Sequence, residues 1–144
     1  MKKHLLFAVI IMAFTSCKKN VDVEISDTSI DGLEIEITGL NSNEGLIQLE
    51  LTDKNGNFLD GFTSEIENKK STIIIPELSE GSYAFKYFHD KNSNKELDTN
   101  LGIPQEGYGF SNNASSAFGP PKTEDMVFQY TEPVKMICTI TYVF

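Results

Sequence analysis

Positive charge is scarce in this chain. It has no arginine, and 12 lysines face 21 aspartates and glutamates, a formal charge of −9. Residues 1–16 hold Lys2 and Lys3 and no acid, so the remainder carries 10 lysines against 21 acids, or −11. Such a surface repels nucleic acid and anionic lipid, which argues against a nucleic-acid partner, and it suits cations and basic partners. Cysteine is scarcer still, with Cys17 and Cys138 alone. If the Cys17 thiol is modified, only Cys138 remains, no internal disulfide can form and the domain must stand without one. Beyond residue 16 the only histidine is His89, so a zinc site lacks ligands. No capped stretch of helical period is long enough to predict a helix of any size. No apolar run is long enough to span a bilayer as a mature helix.

The longest apolar run, Leu5 to Phe14, instead follows the basic start Met1-Lys2-Lys3-His4 and precedes Thr15-Ser16-Cys17. This pattern is that of a signal peptide over residues 1–16. Its end resembles a bacterial lipobox, with Phe14 where Leu is usual and Cys17 as the residue that takes a diacylglyceryl group. Several acyl chains anchor far more firmly than one, at about 0.8 kcal/mol per buried methylene. The resemblance implies an exported protein held on a membrane by lipid on Cys17. Lys18 and Lys19 stand where a retention Asp would be, which points to the outer membrane, on either its periplasmic or its outside face. Residues 17–32 are polar and acidic, and read as a flexible tether.

Residues 33–144 make one domain of ordinary size, with no internal repeat and no sign of more than a monomer. Its pattern is that of strands. LEIEITG sets Leu33, Ile35 and Ile37 against Glu34, Glu36 and Thr38, and LIQLELT sets Ile47, Leu49 and Leu51 against Gln48, Glu50 and Thr52. Alternation of period two marks a half-buried strand. Asp53-Lys54-Asn55-Gly56 is a turn signal. STIIIP is a strand ended by Pro76, and SYAFKYFH places Tyr83, Phe85, Tyr87 and His89 on one face. MVFQY aligns Met126, Phe128 and Tyr130, and VKMICTITYVF closes the domain with Cys138 as a buried core thiol. Many short strands at regular spacing predict an all-β fold, a two-sheet sandwich of about seven or eight antiparallel strands with a long Gly/Asn-rich loop. The hook E-L-x-x-G-x-Y-x-F at Glu77 to Phe85 is similar to transthyretin-like and carboxypeptidase-regulatory-like Greek-key, Ig-like sandwiches.

The run His89 to Asn113, HDKNSNKELDTNLGIPQEGYGFSNN, carries the chemistry. Asp90, Asn92, Asn94, Glu96 and Asp98 alternate around a tight turn, as a hard cation such as Ca2+ requires. Counted from Asp90, Asn92 and Asn94 fill positions three and five of a calcium loop. Glu96 offers its backbone carbonyl at seven, Leu97 is the apolar eighth residue that pins such loops to a core, and Asp98 is ninth. Position twelve is Leu101 rather than a bidentate acid, so this is no EF-hand. Glu106, returned by the Gly-Ile-Pro turn, is the candidate for the missing carboxylate. Lys95 at position six stands where a positive φ favours Gly, at a cost of about 1 kcal/mol. Two or three carboxylates with Lys91 and Lys95 nearby predict weak affinity, on the order of 10⁻⁴–10⁻³ M. The other reading is that Asp and Asn at alternate positions cap their own backbone without a metal.

The same run, followed by GPPKTEDMVF, closely resembles the bacterial family called domain of unknown function 2141. The shared pattern is a strand ending His-Asp, an Asn-rich acidic loop, LGIP-x-EG-Y-G-FS-N, and a Pro-Pro segment with a Phe after an acid. Here it falls on His89, Asp90, Asn92, Asn94, Leu97, Asp98, Gly102 to Pro104, Glu106 to Asn112, Pro120, Pro121, Asp125 and Phe128. The family usually has Gly where this chain has Lys95. The resemblance implies an exported single-domain protein of the kind frequent in Bacteroidetes and Proteobacteria, and assigns no reaction.

Beside the loop, His89, Tyr108, Phe110, Ser111 and Asn112 form the candidate binding surface. Exposed aromatics next to amides suit a glycan or a protein partner, and the alternative is that Tyr108 and Phe110 fold back to cap the sandwich. His89 reads as packed among Tyr83, Phe85 and Tyr87 with one nitrogen bonded to the loop, since no acid–base partner can be named. Ser111 lacks a nucleophile elbow. The sequence therefore predicts a non-enzymatic envelope lipoprotein with a calcium-ordered binding or accessory module. The alternatives are a purely structural lipoprotein and a small hydrolase using His89 with the loop carboxylates.

Overall fold

The structure, a computed structural model, describes residues 31–143. The signal peptide, Cys17 and nearly all of the tether lie outside the described residues. Among the described residues ten strands, a 3-10 turn and one short α-helix follow one another: β1 (Leu33–Thr38), β2 (Leu46–Asp53), β3 (Phe58–Glu65), β4 (Ser71–Ile75), β5 (Gly81–Asp90), β6 (Thr99–Asn100), β7 (Ile103–Pro104), β8 (Tyr108–Phe110), the 3-10 turn (Ser111–Asn113), α1 (Thr123–Met126), β9 (Phe128–Tyr130) and β10 (Val134–Thr139). They form a three-stranded sheet, β10-β1-β4, and a five-stranded sheet, β3-β2-β5-β8 with β9 also paired to β5. β6 and β7 pair only with each other.

The two sheets pack on one core because each strand presents its apolar row inward. Leu33, Ile35 and Ile37 of β1, Ile73 and Ile75 of β4 and Cys138 of β10 meet Ile47, Leu49 and Leu51 of β2 and Phe85 and Tyr87 of β5. Cys138 is 1% exposed, and burial pushes its thiol up to about 11, as expected of a core residue rather than a nucleophile. The polar alternates Glu34 and Glu36 stay at the surface, where Lys135 bridges both at 2.9 and 2.6 Å.

The sandwich is all-β as the alternation predicts, but its pairing is not all antiparallel. β1 lies antiparallel to β4 and parallel to β10, with Ile37 opposite Cys138. A parallel pair needs a long crossover, and here most of the domain, from β1 round to β10, supplies it. β3 shows no alternation that would betray it. It pairs along the outer edge of β2 and only half-buries Phe62 and Ser64 near its end, so no apolar row marks it. Met126 belongs to α1 and not to the strand of Phe128 and Tyr130. The Ser111 hydroxyl donates to the Met126 carbonyl at 2.7 Å, and the Asn112 amide donates to the carbonyls of Asp125, Met126 and Val127. Side chains thus take the backbone acceptors that a ladder would have used.

Candidate functional site: an acidic loop beside an aromatic groove

β5 is the longest strand, and its end carries the site. Asp90 shares the outward parity of Lys86 and Phe88, yet it is 0% exposed because its own loop folds over it. Gln48, on the neighbouring β2, donates its amide to Asp90 Oδ2 at 2.9 Å. The Lys95 N–H donates to the same oxygen at 2.9 Å, and the Asn94 N–H donates to Oδ1 at 3.0 Å. The loop therefore winds around one buried carboxylate.

The other expected ligands converge on a second. Asn92 and Asn94 donate their side-chain amides to Asp98 Oδ2 and Oδ1 at 2.7 and 3.0 Å. Their own carbonyl oxygens accept the backbone N–H of Asn94 at 3.1 Å and of Glu96 at 2.8 Å. Glu96 itself is exposed and ties into the loop through that N–H. Glu106 is returned to the loop as the Gly-Ile-Pro turn predicts. It is 7% exposed, and its two oxygens accept the N–H of Lys91 at 2.8 Å and of Asp98 at 3.2 Å. The turn itself is the β6–β7 hairpin, with the Gln105 N–H donating to the Asp98 carbonyl at 2.8 Å.

Lys95 takes φ 66°, the left-handed conformation that position six of such a loop requires. A non-glycine residue there is strained by roughly 1 kcal/mol. Among the described residues no three His, Cys, Asp or Glu side chains gather closely enough to hold a metal. Any ion here would depend on the amide oxygens of Asn92 and Asn94 together with Asp98. Both amides now present nitrogen to Asp98, so each would have to turn over to offer oxygen to a cation. The residue types fit a calcium site on that condition.

Leu97 does not pin the loop to the core. It is half-buried on the outward face of the five-stranded sheet and walls a groove of about 400 Å³. Phe88, Tyr108 and Phe110 line the groove with it, Phe58 of β3 lies at its rim, and Gln48, Glu50, Lys86 and Lys95 are its polar residues. The glycines of the EGYGF motif explain why the rings point outward. A Cβ at Gly109 would run into the Tyr87 ring, and one at Gly107 would meet the Tyr142 ring, so the inward positions must be bare. Tyr108 and Phe110 then take the outward positions, opposite Phe88 and Lys86, with ring centroids 6.0 Å apart and an edge-on tilt of 74°. They are surface residues of a groove rather than a cap over the core. The Glu50–Lys86 ion pair, at 3.0 Å, crosses the same face. The part that Phe58, Phe88, Gln48 and Glu50 take was not legible, since the groove joins an unmarked edge strand to a distant loop.

Two residues of the candidate surface are buried. His89 is 1% exposed, because its inward parity places it in the row of Phe85 and Tyr87. Its Nε2 lies 2.7 Å from the Glu44 carbonyl and its Nδ1 lies 2.7 Å from the Tyr142 hydroxyl. A carbonyl only accepts, so Nε2 carries the hydrogen. Tyr142 accepts in turn from the Asn41 N–H at 3.3 Å, and burial raises the pKa of its phenol. Both nitrogens thus serve the β1–β2 connection and the chain end, and neither bonds to the acidic loop as expected. Ser111 is 0% exposed and clips two segments, accepting from the Phe85 N–H at 3.0 Å while donating to Met126. Asn112 is exposed, with its amide committed to the carbonyls after α1.

An all-β sandwich with one elaborated acidic loop over its outer face is thus the class of protein defined by fold and site. The family model described as "Uncharacterized protein conserved in bacteria (DUF2141)" matches residues 35–137, and the chain belongs to that family. No curated protein and no solved structure matches it.

Proposed function

We propose that the chain is a cell-envelope lipoprotein, held on the outer membrane through Cys17, whose non-catalytic sandwich displays a calcium-ordered loop beside a binding surface for a glycan or protein partner. The observation that carries the calcium reading is the convergence of Asn92, Asn94 and Asp98 around a turn held by buried Asp90, with Lys95 at positive φ. Calcium in that loop would cross-link these oxygens and brace the wall of the groove. Strain at a non-glycine residue persists where the surroundings over-determine it, and such places cluster at ligand sites.

Melting in chelator and in 10 mM calcium tests this. With a Kd of about 1 mM, calcium adds about 1.4 kcal/mol. For a domain of this size that is a rise of about 5–10 °C in Tm. Asp98→Ala should remove the rise. Identical Tm values in chelator and calcium would sink the metal.

A second reading is favoured by a specific observation. All six oxygens of Asp90, Asp98 and Glu106 already accept an N–H. A loop so satisfied can hold its form without a metal, as a structural lipoprotein would need. The hydrolase reading gains no such support, since His89 has spent both nitrogens away from the carboxylates.

A further inference from the structure

We infer that the groove on the outward face of the five-stranded sheet binds a small amphiphilic anion, a compound with a flat apolar body and one negative group. The inference rests on reading the domain as a binding module, and it does not depend on calcium. At about 400 Å³ the groove has the size of a small-molecule site. Its body is apolar, made by Phe88, Leu97, Tyr108 and Phe110. Phe58 stands at the rim 64% exposed, a large ring with no place in the core. Flat rings between flat rings stack with offset or edge-on geometry, and the Tyr108–Phe110 pair already shows the edge-on form.

The charges choose the sign of the ligand. Glu50 is closed in its ion pair with Lys86 at 3.0 Å. Lys95 lines the groove, and among the described residues no salt bridge pairs it with a carboxylate. In a chain of formal charge −9 this lining is net positive. A cation would meet the free charge of Lys95 there, and a neutral ligand would leave that charge unanswered. An apolar body in the groove with its anionic group at Lys95 satisfies both halves of the lining.

The test is fluorescence titration of the full chain with 1-anilinonaphthalene-8-sulfonate, and with N-phenyl-1-naphthylamine as the same body without the sulfonate. The sulfonate should bind saturably at one site. Lys95→Glu should weaken it about tenfold while changing the neutral probe less than about twofold, the effect of losing a charge-assisted contact. Phe58→Ala should weaken both probes. Both positions are exposed, and an unchanged circular dichroism melt confirms that the variants fold. Non-saturable binding, or a Lys95→Glu variant that treats the two probes alike, overturns the proposal. Running each titration in chelator and in calcium separates the two ideas. Binding in both, with no calcium shift in Tm, keeps the groove and removes the ion. No binding in either removes the groove, whatever calcium does to Tm.

Discussion

Two turns of this molecule begin with an aspartate and use it in the same way, and they end differently. At the β2–β3 turn, Asp53 Oδ1 accepts the N–H of Asn55 at 2.8 Å and of Asn57 at 2.9 Å, while Oδ2 accepts the Asn57 amide at 2.8 Å. Gly56 supplies the positive φ, at 84°. At the end of β5, Asp90 likewise caps the N–H groups of residues four and five positions on. There the carboxylate is wholly buried, positive φ falls on Ser93 and Lys95, and the side chains of Asn92, Asn94 and Asp98 bond one another across the turn. The first is a turn complete in itself. The second buries its aspartate and places non-glycine residues in the left-handed region. Identical local chemistry therefore means different things according to burial and to what the rest of the chain adds.

The sharpest way to break this comparison is to remove each aspartate. Asp90→Ala leaves the Gln48 amide and the Lys95 N–H without an acceptor inside the fold and the Asn94 N–H with Asn92 Oδ1 alone, and should cost about 3 kcal/mol in urea unfolding. Asp53→Ala should cost far less, because water replaces an acceptor at the surface. Equal losses would show that burial is not what separates the two turns. Next in size is Glu106→Gln, which has no counterpart at Asp53. Its amide can accept only one of the two N–H bonds from Lys91 and Asp98, so stability should fall by about 1–2 kcal/mol.

A smaller exchange concerns the left-handed positions. Lys95→Gly should stabilise by about 0.5 kcal/mol, the relief of strain less the entropy a glycine adds to the unfolded chain. Gly56→Ala should destabilise by about 1 kcal/mol. If both changes destabilise alike, Lys95 is not strained. The smallest effect is in acid. Hydrogen bonds from the Asn57 side chain, and then from its N–H, hold the Asp53 carboxyl below its ordinary 3.8. A lowered folded value means that the stabilisation is present above the unfolded value and lost as pH falls through the folded one. The Asn57 amide resonance should therefore titrate below pH 3.8, and Asp53→Asn should abolish that movement.

Much of the fold was legible because it depends on local periodicity. β1, β2, β4, β5 and β10 announce themselves by alternation, and Asn55-Gly56 announces its turn. β3 was not legible, since an edge strand beside solvent needs no apolar row. The closure of the acidic loop was legible: Asp90 to Asp98 share one turn, and Glu106 returns to it. The fate of His89 was legible in part. Its parity with Phe85 and Tyr87 predicts burial, but its partners Tyr142 and Glu44 come from distant segments that no spacing rule connects. Ser111 shows no apolar pattern at all, and its burial follows from two backbone groups that happen to need one hydroxyl.

By itself, the sequence determined the strands β1, β2, β4, β5 and β10 and which face of each is buried, the acidic balance, and the turn that Asp90 organises. These follow from period two, from composition and from the reach of a short side chain to its own backbone. Only the tertiary structure decided that β1 runs parallel to β10, that His89 bonds Tyr142 and Glu44, that Ser111 belongs to the interior, and that Leu97 leans over the outer sheet to make a groove with Phe58 and Phe110. Each joins residues far apart in the chain, and such contacts are set by how the sheets stack and where loops return. Glycine shows the division well: Gly109 is a turn-like residue in the sequence, and in the fold it is the space into which the Tyr87 ring fits.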